Sequence, residues 1–207
     1  MTGPTLADGP PVILASSSRT RAQLLAAAGV PFTPLPALVD EAALRDALRA
    51  EGVRAEDAAV ALAEMKAAHV AARAPESAIV LGADQLLEID GDWLEKPVDR
   101  AAARAQLLRL RGRRHRLVSA VVAFRGGSRV WHDVDAATLA VRPFGDGFLD
   151  AYLDAAGDAV VGCVGAYQLE GLGAQLMARV DGAHATVLGM PLLPLLQFLR
   201  DQAVLAT

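Results

Sequence analysis

The chain has 207 residues, of which 53% are hydrophobic and 21% are charged. This composition excludes a wholly disordered chain and predicts one domain, or two closely joined lobes, around a substantial core. The 20 Lys and Arg against 24 Asp and Glu leave a formal net charge of −4, which excludes a globally basic nucleic-acid binder. We expect a single domain over residues 1–207, with residues 1–10 as a flexible lead-in.

Cysteine content and apolar run length predict the compartment. Cys163 is the only cysteine and has no partner for an internal disulfide, so a reducing cytoplasm is expected. For Cys163 itself, a buried structural thiol is favoured over a nucleophile. No apolar stretch reaches the ~20 residues that a membrane span needs, so we expect no membrane partner.

The first half of the chain predicts strands that alternate with helices. The apolar run 12–15 predicts a strand buried on both faces, and the serines after it are favourable helix caps. Helices are predicted over 21–28, 41–50 and 58–73. Strands are predicted over 78–83 and 86–89, and Asp90-Gly91 is a hairpin turn signal that leads to a return strand at Trp93 and Leu94.

The second half predicts a mixture of helices and hairpins. Asp99 is expected to cap a helix over 100–111, and Asp146 to cap a helix over 146–156. Long strands are predicted over 117–124 and 129–141, joined at Gly126-Gly127, and a last strand over 176–180. A terminal helix is predicted from Pro191 to about residue 202. This order predicts an α/β fold with a mixed sheet.

Two other groups of residues favour ordinary structural roles. The four histidines are dispersed, so a histidine metal site is not expected. A basic run favours a solvated helix end over a nucleic-acid site, because no aromatic residues are interleaved with it. It comprises Arg109, Arg111, Arg113, Arg114 and Arg116.

The turn from Ser16 to Arg21 is the first informative site. A serine-rich turn that leaves a buried strand and opens a helix offers free N–H groups, hydroxyls and guanidinium groups to a phosphate. An ordinary helix cap is the alternative, although it accounts for only one of the three serines.

Gly82-Ala83-Asp84-Gln85 is the second site, because Asp84 lies at the end of a buried strand, where α/β sheets bind ligands. A strand-end Asp satisfied by a turn is the alternative. The hairpin count makes Lys96 a rough cross-strand neighbour of Asp84, either as part of a metal–phosphate site or as a plain salt bridge. The third site is the glycine-rich segment 165–173, which either approaches a ligand closely or forms a tight, bulged loop.

An ordered series of motifs resembles the Maf family of nucleotide pyrophosphatases, and it spans roughly residues 12–200. The motifs are Leu14-Ala15-Ser16-Ser17-Ser18 with Arg21, Val39-Asp40-Glu41, Leu62-Ala63-Glu64-Met65-Lys66, Gly82-Ala83-Asp84-Gln85, Glu95-Lys96-Pro97, Gly165-Ala166-Tyr167 through Gly173, and Leu188-Gly189-Met190-Pro191-Leu192.

This resemblance implies an α/β fold with an elongated mixed sheet, flanked by helices in two lobes with a nucleotide cleft. It implies hydrolysis of a nucleoside triphosphate to the monophosphate and pyrophosphate, with Mg²⁺ or Mn²⁺, to clear non-standard or modified nucleotides. A homodimer without nucleic-acid partners is expected.

The resemblance also implies residue roles. Asp84 matches the general base and a metal ligand, and Glu41 matches an acidic position near the metal. Phosphate binding is expected from Ser16, Ser18, Arg21, Lys66 and Lys96.

Base selection is expected from Thr20, Gln85 and Glu170. At these three positions the family branch that acts on dTTP and UTP typically has arginine, threonine and glutamine, and the branch that acts on 7-methyl-GTP has tryptophan, glutamine and glutamate. The resemblance therefore places Gln85 and Glu170 with the second branch, whereas Thr20 fits neither. The family turn usually has proline and arginine where this chain has Arg19 and Thr20. This difference keeps open a catalytically weak nucleotide-binding regulator of cell division. A phosphatase of phosphorylated sugars is a third possibility, because the same phosphate-binding turn would serve it.

Overall fold

The computed structural model describes residues 9–207, so part of the expected lead-in, residues 1–8, lies outside the described residues. Within this range the protein is an α/β fold with one mixed sheet. Its strands are β1 (Val12–Leu14), β2 (Thr33–Pro34), β3 (Ile79–Ile89), β4 (Asp92–Leu94), β5 (Arg114–Arg125), β6 (Ser128–Val141) and β7 (Met177–Asp181). The fold class predicted from the sequence is confirmed.

The helices flank the sheet, and most of them begin and end close to their predicted bounds. They are α1 (Arg19–Ala27), α2 (Glu41–Ala50), α3 (Ala55–Ala71), α4 (Arg100–Leu110), α5 (Asp146–Ala156), α6 (His184–Val187) and α7 (Leu192–Asp201). No helix among residues 9–207 is both long and apolar enough to cross a membrane.

The chain divides into two compact units. The first contains the described residues up to Gln85, together with Ser119–Asp135 and His184–Thr207, and the second contains Leu86–Val118 and Ala136–Ala183. The single domain expected over residues 1–207 stays a prediction.

The first unit has parallel pairing around β1. Strand β1 pairs with β2 on one side and with β3 on the other, with Leu14 opposite Leu81. Val12, Leu14 and Leu81 are buried and join a core with Leu195 and Leu199 of α7. The apolar run in β1 therefore predicted the burial of Val12 and Leu14 correctly, whereas Ile13 on the opposite face is only partly buried.

The second unit contains antiparallel pairings. Residues 90 and 91 connect β3 to β4 with Ile89 opposite Asp92, which confirms the predicted hairpin turn. Strand β7 pairs with β6, with Leu139 opposite Val180. The short strand β2 and the short helix α6 were not predicted.

Two local predictions were wrong. Strand β3 is continuous through Asp84 and Gln85, where the sequence predicted a break. Both polar side chains have hydrogen-bond partners, Lys66 of α3 for Asp84 and Ser119 of β5 for Gln85. Gly145, not Asp146, caps α5, and no side chain caps that end of the helix. The Asp146 carboxylate instead accepts a hydrogen bond from Arg111 at 2.8 Å.

Candidate active site

The serine turn follows β1 and opens α1. Ser18 is the helix cap, since its hydroxyl accepts a hydrogen bond from the Arg21 N–H at 3.3 Å, as the capping alternative predicted. The Ser16 hydroxyl accepts one from the Ser18 N–H, also at 3.3 Å, and Ser16 is buried. One serine therefore stabilises the start of the helix, and a second holds the turn together.

Arg21 is a buried cation beside this turn. Its Nε donates to the Gly189 carbonyl at 2.9 Å, and one terminal nitrogen donates to the Ser16 hydroxyl at 3.3 Å. Burial lowers the pKa of Arg21, while the negative charges of Asp84 and Glu41 oppose that shift. The guanidinium thus belongs to one electrostatic cluster with these two carboxylates.

Lys66 links the two carboxylates directly. Its Nζ lies 2.6 Å from Asp84 Oδ1 and 2.7 Å from Glu41 Oε2, and it also donates to the Ala83 carbonyl at 3.4 Å. All three ammonium protons can therefore be used within the protein. Lys66 can hold a phosphate only by exchanging one of these partners.

Gly82 explains how Lys66 reaches Asp84. A Cβ added at Gly82 would lie 2.1 Å from the Ala63 carbonyl oxygen and 2.8 Å from the Ala67 backbone nitrogen. Only glycine allows the backbone of α3 to approach β3 this closely. The approach places Lys66, one turn along the helix, against Asp84 in the strand.

Asp84 carries an unsatisfied acceptor in this cluster. Its Oδ2 atom is buried and has no hydrogen-bond partner among residues 9–207. A buried carboxylate oxygen without a partner is costly unless a proton donor or a cation binds it. The position can therefore bind a proton donor or a cation that residues 9–207 do not supply.

These residues fit a divalent cation of the Mg²⁺ type. In the described chain, no group of three or more His, Cys, Asp and Glu side chains is arranged to hold a metal. Mg²⁺ needs fewer, because it is commonly held by one or two carboxylates together with substrate phosphates and waters. Asp84, with its open Oδ2, and the half-exposed Glu41 provide that donor set.

The expected base-selecting and phosphate-binding residues are divided between the units. Gln85 belongs to the first unit, and its amide donates to the Ser119 hydroxyl and the carbonyls of Thr186 and Val187, each at 3.0 Å. Thr20 lies in the first turn of α1. Lys96 and Glu170 are exposed residues of the second unit, and Lys96 follows the end of β4. Their expected roles, and the proximity of Lys96 to Asp84, stay predictions.

The glycine-rich segment of the second unit is tightly built. Gly165 has φ of +78°, and a Cβ there would lie 2.7 Å from Leu87 and Tyr167 side-chain atoms. A Cβ at Gly173 would lie 2.5 Å from the Gln168 carbonyl oxygen. A cavity of about 170 Å³ borders this segment at Gln168 and Gly173.

The remaining polar features of the second unit are structural. The Cys163 thiol donates to the Tyr167 carbonyl, and burial raises its pKa to about 11, which agrees with the predicted structural thiol. Four of the five arginines in the basic run pair with acidic side chains. The pairs are Arg109–Asp92, Arg111–Asp146, Arg113–Asp90 and Arg116–Glu88.

Comparison with known proteins identifies the family. The family described as "Maf-like protein" matches residues 11–202. This chain belongs to the Maf-like family.

Its relatives match over nearly their whole length. A protein of Paramagnetospirillum magneticum named "Nucleoside triphosphate pyrophosphatase" is 53% identical over 93% of this chain and 99% of its own. One of the same name from Rhodospirillum rubrum is 51% identical over 95% of this chain and 96% of its own. A solved dITP/XTP pyrophosphatase of Mycobacterium abscessus aligns at 17% identity and a TM-score of 0.38 over 63% of this chain and 74% of its own, a likeness too weak to bear on function.

Sequence reasoning missed the residues that hold the cluster in place. Gly189 binds Arg21 through its carbonyl, Thr186 binds Gln85, and the buried Ser119 contacts both Gln85 and Thr186. The sequence did contain a sign of Ser119, because it is a single hydroxyl residue within a buried apolar strand. Such a residue needs a specific partner.

Proposed function

We propose that this protein hydrolyses a nucleoside triphosphate to the monophosphate and pyrophosphate. Membership of the Maf-like family supports this, as do relatives at about half identity that are named nucleoside triphosphate pyrophosphatases. The observation that carries the chemistry is the buried, unpaired Oδ2 of Asp84, next to Lys66 and in one cluster with Arg21.

Charge balance supports a role for a divalent cation. Lys66 and Arg21 carry two positive charges, and Asp84 and Glu41 carry two negative ones, so the cluster is formally neutral. A neutral cluster attracts a polyanion weakly, and a divalent ion adds the positive charge that a triphosphate requires. We propose that Asp84 and Glu41 hold Mg²⁺ or Mn²⁺, which would polarise a phosphoryl oxygen when bound.

Asp84 acts as the general base in this proposal. Its Oδ1 is held by Lys66, and Oδ2 has two lone pairs, so Oδ2 can bind a cation with one and accept a proton from a water molecule with the other. The water oxygen forms a bond to the α-phosphorus, and the bond between the α-phosphorus and its bridging oxygen to the β-phosphate breaks. The proton passes to Asp84, and pyrophosphate leaves with the bonding electrons.

Arg21 stabilises the phosphate oxygens in this proposal, together with Ser16 and Ser18 of the same turn. Phosphate binding by Lys96 stays a prediction. The Ser16 hydroxyl and the Gly189 carbonyl hold the buried guanidinium rigidly, so little reorganisation is needed when charge develops. Lys66 has two roles in this proposal. It holds Asp84 and Glu41 before substrate binds, and it would be free to turn toward a phosphate if a bound cation shared the negative charge of these two carboxylates.

The substrate class and setting extend the proposal. Gln85 and Glu170 favour a modified purine nucleotide similar to 7-methyl-GTP, whereas Thr20 leaves the base preference open. Clearance of such nucleotides in the cytoplasm is consistent with a single, unreactive cysteine. The family resemblance supports a homodimer.

A nucleotide panel tests the proposal. The protein is incubated with Mg²⁺ or Mn²⁺ and standard or modified nucleoside triphosphates, and pyrophosphate release is measured. Release that requires metal and is lost in Asp84→Asn is expected. Full activity in Asp84→Asn, or no release from any triphosphate, refutes the proposal. Nucleotide binding without turnover favours the regulator, and orthophosphate release from sugar phosphates favours the phosphatase.

A further inference from the structure

The short helix α6 is anchored to β6 by a side-chain contact that the proposed reaction does not use. Thr186 is 1% exposed, and its hydroxyl donates to Asp135 Oδ2 at 2.6 Å. A hydroxyl bonded to a carboxylate is a charge-assisted hydrogen bond, which is stronger than a neutral one. Threonine hydroxyls within helices often bond to the carbonyl four residues earlier, but residue 182 lies outside α6. The contact with Asp135 is therefore a specific tertiary link.

The backbone of α6 then holds the residue that follows Asp84. The Thr186 carbonyl accepts from the Ser119 hydroxyl at 2.8 Å and from the Gln85 amide at 3.0 Å, and the Val187 carbonyl accepts from the same amide at 3.0 Å. Gln85 is covalently bonded to Asp84, so the position of α6 influences where the Asp84 backbone lies.

The same segment holds Arg21. The Gly189 N–H donates to the Thr186 carbonyl at 3.0 Å, and the Gly189 carbonyl accepts from Arg21 Nε at 2.9 Å. Gly189 has φ of +100°, and a Cβ there would lie 3.3 Å from Arg21 Nε. The turn after α6 thus fits closely around the guanidinium.

We infer that Thr186 and Asp135 are positioning residues: their hydrogen bond places α6 and the turn after it, and so sets the relative positions of Arg21 and the Asp84-Gln85 pair. The effect that we expect on catalysis rests on the proposed function. Asp135 is exposed, so water can replace the lost partner when Thr186 is changed. Thr186→Val therefore tests geometry more than folding.

Matched substitutions separate positioning from packing. Thr186→Val keeps the size of the side chain and removes the hydroxyl, and it should lower kcat about 10- to 100-fold with little change in KM, as for other residues that orient a reacting group. Thr186→Ser keeps the hydroxyl and should stay within about threefold of wild type. Asp135→Ala should repeat the Thr186→Val defect, because it removes the same bond from the exposed side. Thr138→Val, on the same strand, is the control and should leave kcat unchanged.

A nuclear magnetic resonance readout makes the test independent of turnover. The Arg21 Nε–H signal is identified by its loss in Arg21→Lys, and we expect it to shift and to exchange faster with solvent in Thr186→Val and Asp135→Ala. The inference is overturned if both variants keep the wild-type signal and kcat, or if Thr186→Ser is as impaired as Thr186→Val. If wild-type protein releases no pyrophosphate, the proposed function fails, while the Arg21 signal still decides the positioning role.

Discussion

The close approach of α3 to β3 makes Gly82→Ala the most informative single substitution. Its Cβ would lie 2.1 Å from the Ala63 carbonyl oxygen, whereas real Cβ contacts stay above 3.0 Å. The helix must therefore move by about 0.9 Å, the difference between the two distances, and Lys66 moves with it. A displacement of about 1 Å in a catalytic arrangement can cost about 10²-fold in rate. Overpacking of this kind costs about 1–3 kcal/mol in the free energy of unfolding.

Two measurements test this prediction. Pyrophosphate release should fall about 10²-fold in Gly82→Ala. The midpoint of urea unfolding should fall with it. The control is Gly147→Ala in α5, where an added Cβ meets nothing within 4 Å, so activity should be retained and stability should rise slightly. Wild-type activity and stability in Gly82→Ala would show that α3 can move away freely, and would refute the argument that Gly82 positions Lys66.

Three further predictions concern ionisable groups. Lys66→Gln should lower kcat about 10²–10³-fold. This substitution leaves Asp84 buried without the Lys66 ammonium, so it should also lower the free energy of unfolding by about 3–5 kcal/mol in urea titrations. An unchanged unfolding midpoint would contradict the buried ion pair. Burial raises the pKa of Cys163 to about 11. Iodoacetamide should therefore label Cys163 at pH 8 far more slowly in the native protein than in the urea-unfolded protein. Equal labelling rates would refute the burial of the thiol. Burial lowers the pKa of His115 to about 4. Between about pH 6.5 and pH 4 the unfolded state therefore binds a proton that the folded state does not, so the free energy of unfolding falls as the pH drops through this range. His115→Phe should reduce this acid sensitivity in unfolding titrations at these two pH values, and an identical pH slope would contradict it.

The features that could be predicted from the sequence depend on neighbouring residues. Asp99 caps α4 by accepting from the Ala102 N–H at 2.7 Å, as expected, because a cap requires only residues three positions apart. The Asp90-Gly91 turn forms for the same reason. The cap expected from Asp146 failed, since a distant residue, Arg111, binds that carboxylate instead.

The candidate site was only partly predictable. The residue pattern pointed to Asp84 and Arg21, and the family resemblance added Lys66 and Glu41. The structure places all four in one cluster. The bond from Arg21 to Gly189 spans 168 residues, so no local pattern encodes it.

Other features of the site depend on tertiary packing. The continuity of β3 could not be foreseen, because polar residues tolerate a buried strand only when tertiary partners satisfy them. The ion pairs of Lys66 depend in turn on how closely α3 packs against Gly82.

Hydrolysis in ¹⁸O-labelled water, followed by mass spectrometry, shows whether water attacks the α-phosphorus with Asp84 as the base. The label should enter the nucleoside monophosphate, the pyrophosphate should stay unlabelled, and Asp84→Asn should abolish the labelled product. Label in the pyrophosphate, or undiminished labelling of the monophosphate by Asp84→Asn, would contradict this mechanism.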